Sequence, residues 1–340
     1  MRSLYTFILS FLALLCQLHA AEPLRVLFIG NSYTYCNDLP GIVQAMADEK
    51  KYPMEVDSYT VGAASLRSLL NSPQHAQAAR KLAEGNYDWV ILQDQSQTPA
   101  YNPNDTLGAV QRWSQLAAAH KTRVMLFLTW AHADTMNGKT CLQSAMQDDT
   151  SHTYCRAAVQ HQASVAPVGE AWRRWYKKHP DKPLHTRDMS HPTPAGSYLA
   201  ACVIYNALTD TPATKLPLRV KSAQLRLTTS LARELQKTAA VTMRTFTPQG
   251  YLDAYAKKDA TLLTPEAAAA TLHRGMSISE LTEHLGSPAS IHKSAEQHIY
   301  QFRLRGKAEF AAYCTPRGSI RSVSIMTPGA GVQIIDLDTL

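Results

Sequence analysis

The sequence predicts an α/β protein with a parallel sheet covered by helices on both faces, followed by a smaller α+β domain. Over residues 24–245, short segments rich in Val, Ile and Leu alternate with helical segments. This is the pattern of a parallel sheet whose strands are buried on both faces. After residue 265, three segments instead alternate apolar and polar residues, which predicts antiparallel strands.

The strands predicted in the first domain are Arg25–Ile29, Met54–Tyr59, Trp89–Leu92, Arg123–Leu128 and Val165–Val168. Helical periodicity predicts Gly41–Lys50, Ser65–Glu84 with a break at Pro73, Thr106–His120, Arg156–Ser164, Glu170–Lys178, Ala195–Leu208 and Lys221–Thr245. Residues 133–155 are polar and are expected to be irregular. Ligands of such sheets bind beyond the carboxyl ends of the strands. We therefore expect one rim to collect Ser32, Gly62, Gln93–Gln97 and Trp130.

The second domain is predicted at 265–340, after a domain at 22–248 and a polar linker at 249–264. A capping box at Ser277–Glu280 begins the helix Ile278–Leu285, and a shorter helix is expected at 265–272. An antiparallel three-stranded meander follows, with strands at His298–Leu304, Ala308–Cys314 and Ile320–Ile325.

Residues 1–20 have the order of a secretory signal peptide. A positive charge at Arg2 precedes the apolar run Leu4–Leu15, and the small residue Ala20 precedes the expected cut. The run is shorter than the ~20 apolar residues of a membrane span. A lipoprotein cleavage site before Cys16 is the alternative, although Leu15 is large for that position. We expect an exported protein, periplasmic or secreted, whose mature chain has no transmembrane segment.

Charge and cysteine content narrow the class of partner. The net charge is +7, but the basic residues are scattered and not interleaved with aromatic ones, so nucleic acid is not an expected partner. In an oxidising compartment, Cys141 and Cys155, which flank a polar segment, are the candidates for a disulfide, whereas Cys202 lies in an apolar run and is expected to be buried. No spacing indicates a zinc site, and no cofactor is expected.

Ser32 lies where the first strand meets a helix, in Gly30-Asn31-Ser32. A serine at such a corner is commonly a helix N-cap. Asp188 and His191 favour a nucleophile instead. A nucleophilic serine needs a base within hydrogen-bond reach and a carboxylate that fixes the tautomer of that base, and one Asp-x-x-His loop supplies both.

These residues resemble the SGNH, or GDSL-like, hydrolases over about residues 24–245. The resemblance rests on Phe28-Ile-Gly-Asn-Ser-Tyr-Thr34, Val61-Gly-Ala63, Trp89-Val-Ile-Leu-Gln-Asp-Gln-Ser96 and Asp188-Met-Ser-His-Pro-Thr-Pro-Ala-Gly-Ser-Tyr-Leu199. It implies a three-layer α/β/α, flavodoxin-like fold and a serine esterase. In this family a histidine is the base and then the acid, and an aspartate orients it. The oxyanion hole combines the serine amide, a glycine amide and a side-chain amide. By this resemblance the roles fall on Ser32, His191, Asp188 and Gly62.

The sequence departs from the family pattern at two places. Asn31 stands where the family has Asp, a change expected to be structural. The family's Gly-x-Asn-Asp is replaced by Gln93-Asp-Gln-Ser-Gln97. A glutamine amide donates as an asparagine amide does, so Gln95 is our choice for the oxyanion hole. Gln97 is an alternative, and Gln93 is either a donor or part of the strand end beneath the site.

The second domain resembles the BamE/SmpA type of envelope domain, on Gly275-Met-Ser-Ile-Ser-Glu-Leu281 and Leu285-Gly-Ser-Pro288. This resemblance implies a module that binds a partner protein or the envelope, and a stabilising appendage without a partner is the alternative.

Together these observations predict an exported esterase that removes acyl groups, acetyl by analogy, from a carbohydrate or glycan. The alternative is a weak or inactive SGNH scaffold that binds glycans or organises the envelope, which the missing Gly-x-Asn-Asp motivates. Two further residues, Trp130 and His132, are candidates to line a sugar-sized pocket, with ordinary packing at the rim as the alternative for Trp130, and His185 is expected to be solvated.

Overall fold

The computed structural model describes residues 22–136, 139–216, 227–286 and 288–340. The predicted signal peptide and the first residues of the helix predicted at Lys221–Thr245 lie outside these ranges. Within the described ranges, no helix combines the length and the apolarity that crossing a bilayer requires.

A five-stranded parallel sheet is the centre of the first part of the chain. The strands up to residue 166 are β1 Leu24–Gly30, β2 Met54–Thr60, β3 Trp89–Leu92, β4 Arg123–Phe127, β5 Ala133–Met136, β6 Lys139–Leu142 and β7 Ser164–Ala166. The sheet has the order β2-β1-β3-β4-β7, and β5 and β6 form a separate hairpin. This is the flavodoxin-like order, in which strands are added first on one side of β1 and then on the other. The predicted α/β class is confirmed.

Helices cover both faces of this sheet. They are α1 Ser32–Tyr35, α2 Leu39–Glu49, α3 Leu66–Asn71, α4 Ala76–Glu84, α5 Thr98–Tyr101, α6 Pro103–Ala119, α7 Ser144–His161, α8 Val168–Lys178, α9 Pro194–Thr209, α10 Thr229–Thr245 and α11 Pro248–Ala260. Helices α2, α8, α9 and α10 form one apolar core with the sheet. Helices α3, α4, α6 and α7 form the other, on the opposite face. The β3 sequence Trp-Val-Ile-Leu is buried throughout because it is covered on both sides.

Residues 133–155, expected to be irregular, form the β5–β6 hairpin and the beginning of α7. The residues that α7 turns inward are polar. Gln147, Asp148 and Ser151 are buried, and their side chains bind the Ala131 amide, the Arg173 guanidinium and the Glu170 carboxylate. Partners in the folded protein allow these polar side chains to be buried. Because the buried face of α7 is polar, the sequence lacks the apolar periodicity by which a helix is recognised.

The predicted disulfide is wrong, because Cys141 and Cys155 are both free thiols. Cys141 lies on β6, whereas Cys155 lies eleven residues into α7 and is fully buried. Eleven residues of helix span ~16 Å, and the Cα atoms of a disulfide are within about 7 Å of each other. Cys202 is buried in the apolar core, as predicted.

The C-terminal part of the chain forms an antiparallel sheet packed on helices α12 Pro265–Ala269 and α13 Ile278–Leu285. Its strands, paired in chain order, are β8 Ser290–Lys293, β9 His298–Arg303, β10 Glu309–Cys314, β11 Ile320–Thr327 and β12 Gly331–Asp336. The predicted α+β unit and its three central strands are confirmed. The edge strands β8 and β12 add to that prediction. The sequence did not indicate them because β8 is a short, mostly polar Ser-Ile-His-Lys and β12 is largely exposed.

The segment predicted as a linker is mostly helix α11, which is bound to α7. The Tyr255 ring stacks on His152 with centroids 4.2 Å apart. Lys258 Nζ lies 2.6 Å from Asp148 Oδ2. On the second domain, Arg303 and Lys307 lie 2.8 and 3.5 Å from the carboxylate next to it, Asp149. Two neighbouring carboxylates of α7 thus hold α11 and the C-terminal sheet.

Asp148 is nearly buried and accepts hydrogen bonds from Lys258 and, at 2.8 Å, from Arg173. Burial alone would raise the pKa of the Asp148 carboxyl, but the charges and hydrogen bonds of Arg173 and Lys258 lower it below its usual value. The carboxylate is therefore stabilised in the folded chain relative to the unfolded chain.

Replacing this carboxylate with an amide tests its contribution to stability. We expect Asp148→Asn to reduce the free energy of unfolding by about 2 kcal/mol at neutral pH, because hydrogen bonds to charged groups are lost. A lowered folded-state pKa gives stability that is fully present above the unfolded pKa of ~3.9 and is lost as the pH falls from there through the lower folded-state pKa. The difference between variant and wild type should therefore shrink at pH 3.5, as measured by urea denaturation.

Asp105→Asn is the matched control, since its ion pair with Arg67 is exposed. Exposed pairs contribute about 0–1 kcal/mol, so this variant should stay within that range of wild type. Equal losses in the two variants would contradict a special role for Asp148.

Candidate active site

The carboxyl ends of the central strands meet at one rim, and most of the predicted site residues gather there. One open cleft of about 470 Å³ is lined by Ser32, Gly62, Gln95, Gln97 and His191, among others. These residues come from different elements, so the cleft depends on the register of β1, β2 and β3.

Ser32 is the first residue of α1 and not its cap. The cap is Asn31, whose side-chain oxygen accepts from the Tyr33 amide at 3.1 Å. The hydroxyl of Ser32 is therefore free for other partners. Gly30 is needed just before it, because a Cβ at that position would lie 2.5 Å from Gln93 Oε1 and from Thr34 Oγ1.

Ser32, His191 and Asp188 form one hydrogen-bonded chain. Ser32 Oγ lies 2.9 Å from His191 Nε2, and His191 Nδ1 lies 2.6 Å from Asp188 Oδ2. A carboxylate only accepts, so Nδ1 carries the proton and Nε2 is left to accept from the serine hydroxyl. The sequence separation of 159 residues between serine and histidine is closed by the fold.

The second oxygen of Asp188 orders the turn that carries the histidine. It accepts from the amides of Ser190 and His191, both at 2.9 Å, and from the Thr186 hydroxyl at 2.7 Å. Burial alone would raise the pKa of the Asp188 carboxyl, but these bonds and the His191 ring hold it well below its usual range. The turn places Met189 in the left-handed region, at φ 59°.

Two backbone amides at the cleft have no hydrogen-bond acceptor among the residues that the structure describes. Ser32 and Gly62 both line the cleft, and among the described residues none accepts a hydrogen bond from either amide. The Gln95 side chain is held by the turn that follows, because its Oε1 accepts from the amides of Gln97 at 2.7 Å and Thr98 at 3.1 Å. Its Nε2 donates to Ser96 Oγ at 3.2 Å, which leaves its second proton without a described partner.

Gln93 lies beneath the serine and not in the cleft. It is fully buried, and its Oε1 accepts from the Asn31 amide at 2.9 Å and from Thr34 Oγ1 at 2.8 Å. Its Nε2 donates to Asn31 Oδ1 at 3.0 Å and to the Asp94 carbonyl. Asn31 Nδ2 in turn donates to the Ala64 carbonyl at 2.9 Å. Of the three candidate glutamines, Gln93 therefore supports the strand end beneath the site and is not available as a donor in the cleft.

An aromatic stack supports the histidine, and no sequence pattern predicts it. The Tyr33 ring meets the His191 ring edge-on, with centroids 5.7 Å apart. Tyr33 stacks on Trp130 at 4.6 Å, and Trp130 stacks on Trp172 at 3.9 Å. Trp130 is fully buried and donates to the Ser190 carbonyl at 2.9 Å, so it lies under the cleft and does not line it.

Polar side chains extend this support at the edge of the cleft. Ser190 Oγ lies 2.7 Å from the Tyr33 hydroxyl and 3.2 Å from His132 Nε2. Burial raises the pKa of Tyr33 to about 12 and lowers that of His132. Tyr33 and Ser190 directly follow and precede the predicted triad residues, but a single sequence does not show that their side chains meet. His132 lines the cleft, as expected.

His185 was expected to be solvated but is buried. Its Nε2 donates to the Ala131 carbonyl at 3.1 Å, and its Nδ1 accepts from the Tyr176 hydroxyl at 2.8 Å. Burial lowers the pKa of His185 to about 4. The neutral ring therefore fixes the chain after β4, close to His132.

Comparison with known proteins adds a relationship of fold. No protein-family model matches the sequence, and no curated protein does. A solved DUF4886 family protein from Bacteroides uniformis matches with a TM-score of 0.51 and 19% identity, over 66% of this chain and 96% of that chain. A candidate SGNH hydrolase from Slackia heliotrinireducens matches with a TM-score of 0.49 and 27% sequence identity. The match covers 55% of this chain and 100% of that chain. An acetylxylan esterase mutant from Geobacillus stearothermophilus matches with a TM-score of 0.45 and 12% sequence identity. The match covers 56% of this chain and 97% of that chain.

The first domain has the three-layer α/β/α fold with the flavodoxin-like strand order that the sequence predicts. At these identities, the similarity concerns the fold and not the chemistry of individual residues.

Asn31 can be tested by restoring the aspartate that the family has. Asn31→Asp places a carboxylate against the Ala64 carbonyl, to which the amide now donates. Because the group is buried, we expect the free energy of unfolding to fall by about 2–3 kcal/mol at pH 8, measured by urea denaturation. Asn71→Asp is the matched control, since Asn71 is exposed and accepts from Arg112. A loss of similar size in the control would contradict this explanation.

Proposed function

We propose that the protein is an exported serine esterase of the SGNH type that hydrolyses short acyl esters, acetyl above all, on carbohydrates. The observation that carries the proposal is the hydrogen-bonded chain from Ser32 through His191 to Asp188, with distances of 2.9 and 2.6 Å. A serine hydroxyl, a base with a fixed tautomer and a carboxylate in this order are the requirements of acyl transfer through a covalent intermediate.

The first half of the reaction forms an acyl-enzyme. His191 Nε2 takes the proton of Ser32 while Oγ attacks the ester carbonyl carbon. The carbonyl oxygen becomes an oxyanion, which the amides of Ser32 and Gly62 and the Nε2 of Gln95 stabilise. When the tetrahedral intermediate collapses, the C–O bond to the alcohol breaks and His191 gives its proton to the leaving oxygen.

The second half returns the enzyme to its starting state. Water loses a proton to His191 Nε2 and attacks the acyl carbon, and the same donors hold the oxyanion. Collapse releases the carboxylic acid and returns the proton to Ser32 Oγ. The lowered pKa of Asp188 keeps this carboxylate ionised, so it stabilises the imidazolium that forms in each half.

The lining of the cleft supports a short acyl group. Tyr33, Tyr35 and Ala63 are its apolar residues, and the other lining residues are polar or glycine. A long acyl chain gains about 0.8 kcal/mol for each CH₂ that it buries, and these three residues are the only apolar side chains of the cleft that it could contact among the residues that the structure describes. The polar lining fits an alcohol that is rich in hydroxyl groups.

The remaining parts of the proposal rest on the sequence. Export depends on the signal peptide predicted at 1–20, and binding of an envelope partner depends on the BamE/SmpA resemblance of the second domain. The inactive-scaffold alternative was motivated by the missing Gly-x-Asn-Asp. Gln95 offers an amide donor in its place, and this favours activity.

Replacing the nucleophile tests the reaction class. We expect Ser32→Ala to lower kcat for 4-nitrophenyl acetate by at least about 10³-fold, because the acyl-enzyme is no longer formed. A fluorophosphonate probe should label Ser32 in the wild-type protein and leave the variant unlabelled, as read by mass spectrometry of the peptide. Ser230→Ala, an exposed serine in α10, is the control and should keep both activity and labelling. Wild-type rates in Ser32→Ala would end the proposal.

Gln95→Glu tests the third oxyanion donor. The carboxylate keeps the oxygen that caps the following turn but removes the N–H, so kcat should fall by about 10²-fold or more. Gln97→Glu brings the same charge to the same cleft and should lower kcat for 4-nitrophenyl acetate by less than about tenfold. If the two losses are reversed, the donor is Gln97.

A further inference from the structure

A second cavity, of about 420 Å³, lies between the first domain and the C-terminal sheet. It adjoins the proposed catalytic cleft, because Gln97 and His132 line both. Its size is within the range of about 300–1,000 Å³ that is typical of small-molecule sites. We call it the interdomain cavity.

One wall of the interdomain cavity is a polar face of the C-terminal sheet. Ser290 and His292 on β8 and Gln301 and Arg303 on β9 line it. Ser290 pairs with Gln301 across the two strands, and residues two apart point to the same face. Residues of the opposite face, such as Phe310, are buried against α12 and α13. The sheet therefore covers its own helices with one face and the cavity with the other.

The other wall comes from the first domain. The beginning of α7 contributes Met146 and Asp149, and α5 contributes Tyr101, a residue that is 58% exposed. Arg303 and Lys307 bind Asp149 across the boundary at 2.8 and 3.5 Å. The two walls are thus held together by ion pairs at the edge of the cavity.

The lining favours an uncharged, hydroxyl-rich ligand. Arg303 and Lys307 are offset by Asp149 and Glu309, so the formal charges of these four residues cancel. An anion or a cation would meet a group of its own sign. Neutral donors and acceptors, namely Gln97, Gln143, Ser290 and Gln301, make up much of the rest. The Tyr101 ring gives an apolar surface against which the carbon face of a sugar packs.

The position of the interdomain cavity suits the alcohol part of the substrate, which carries the leaving oxygen. The leaving oxygen takes its proton from His191, and Ser190, the residue before His191, binds His132 at 3.2 Å. His132 borders the interdomain cavity. The interdomain cavity therefore lies on the side of the cleft where His132 and Ser190 are, next to the histidine that would protonate the leaving oxygen.

We propose that the interdomain cavity is the subsite for the sugar that carries the ester, and that the second domain is a substrate-binding part of the enzyme. This inference rests on the proposed function. It gives the C-terminal sheet a role toward a small neutral glycan, without a partner protein.

The test compares sugar and non-sugar esters in variants of both walls. For Tyr101→Ala and His292→Ala, we expect the ratio of kcat/KM for acetylated xylotetraose to kcat/KM for 4-nitrophenyl acetate to fall about tenfold, mainly through the KM of the sugar ester. Val332→Ala is the control. Val332 is exposed on β12, the edge strand farthest from β8 in the sheet, so this variant should keep the wild-type ratio. A ratio within twofold of wild type in both wall variants would overturn the proposal.

A binding measurement separates this inference from the proposed function. Unacetylated xylotetraose is titrated calorimetrically into Ser32→Ala protein, with and without each wall substitution. If the wild-type protein hydrolyses neither ester but binding is lost in the wall variants, the esterase is rejected and the subsite is kept. If xylotetraose does not bind, or binds equally with both wall substitutions, the subsite is rejected whatever the esterase activity is.

Discussion

The site depends on one buried pair of amides, Asn31 and Gln93. Gln93 accepts from the Asn31 backbone and donates to the Asn31 side chain, and Asn31 in turn donates to the Ala64 carbonyl. These bonds join the ends of β1 and β3 to the loop after β2. Ser32, Gly62 and Gln95 come from these three segments, so the spacing of the proposed nucleophile and of the proposed oxyanion donors is fixed beneath the cleft. Every polar atom of the two side chains is used, which is the condition under which a buried polar network is stable.

The histidine is fixed from a different direction. Asp188 orders the turn by accepting two amides and a hydroxyl, and the Tyr33–Trp130–Trp172 stack supports the ring from the side. The serine and the histidine therefore have separate supports, which meet where Tyr33 follows Ser32 in the chain. This arrangement explains how a half-exposed histidine and aspartate keep one geometry: the atoms that hold them are buried or bonded to the backbone.

Local patterns in the sequence were enough for the sheet and for the three residues of the hydrogen-bonded chain. Apolar strands beside a glycine corner and an Asp-x-x-His loop before a proline-started helix are short-range signals. The predictions that were wrong concerned residues whose contacts are distant in the sequence. The buried face of helix α7 cannot be recognised in the sequence, because Gln147, Asp148 and Ser151 are polar. Their hydrogen-bond and ion-pair partners belong to other elements. In the same way, spacing alone paired Cys141 with Cys155, although a helix separates them. Gln93 and Gln95 differ by two positions, yet only the packing beneath Ser32 distinguishes them.

The position of Asp149 has a consequence for how this protein can diversify. Ser32, His191 and Asp188 lie within one domain, whereas the interdomain cavity has a wall from each, held together by Arg303 and Lys307. The proposed catalytic residues are therefore encoded in one stretch of the gene, and one of the two walls of the neighbouring space in another. Drift in the β8–β9 face can change that space while the hydrogen-bonded chain stays constant. The junction at Asp149 is the part that both stretches must preserve.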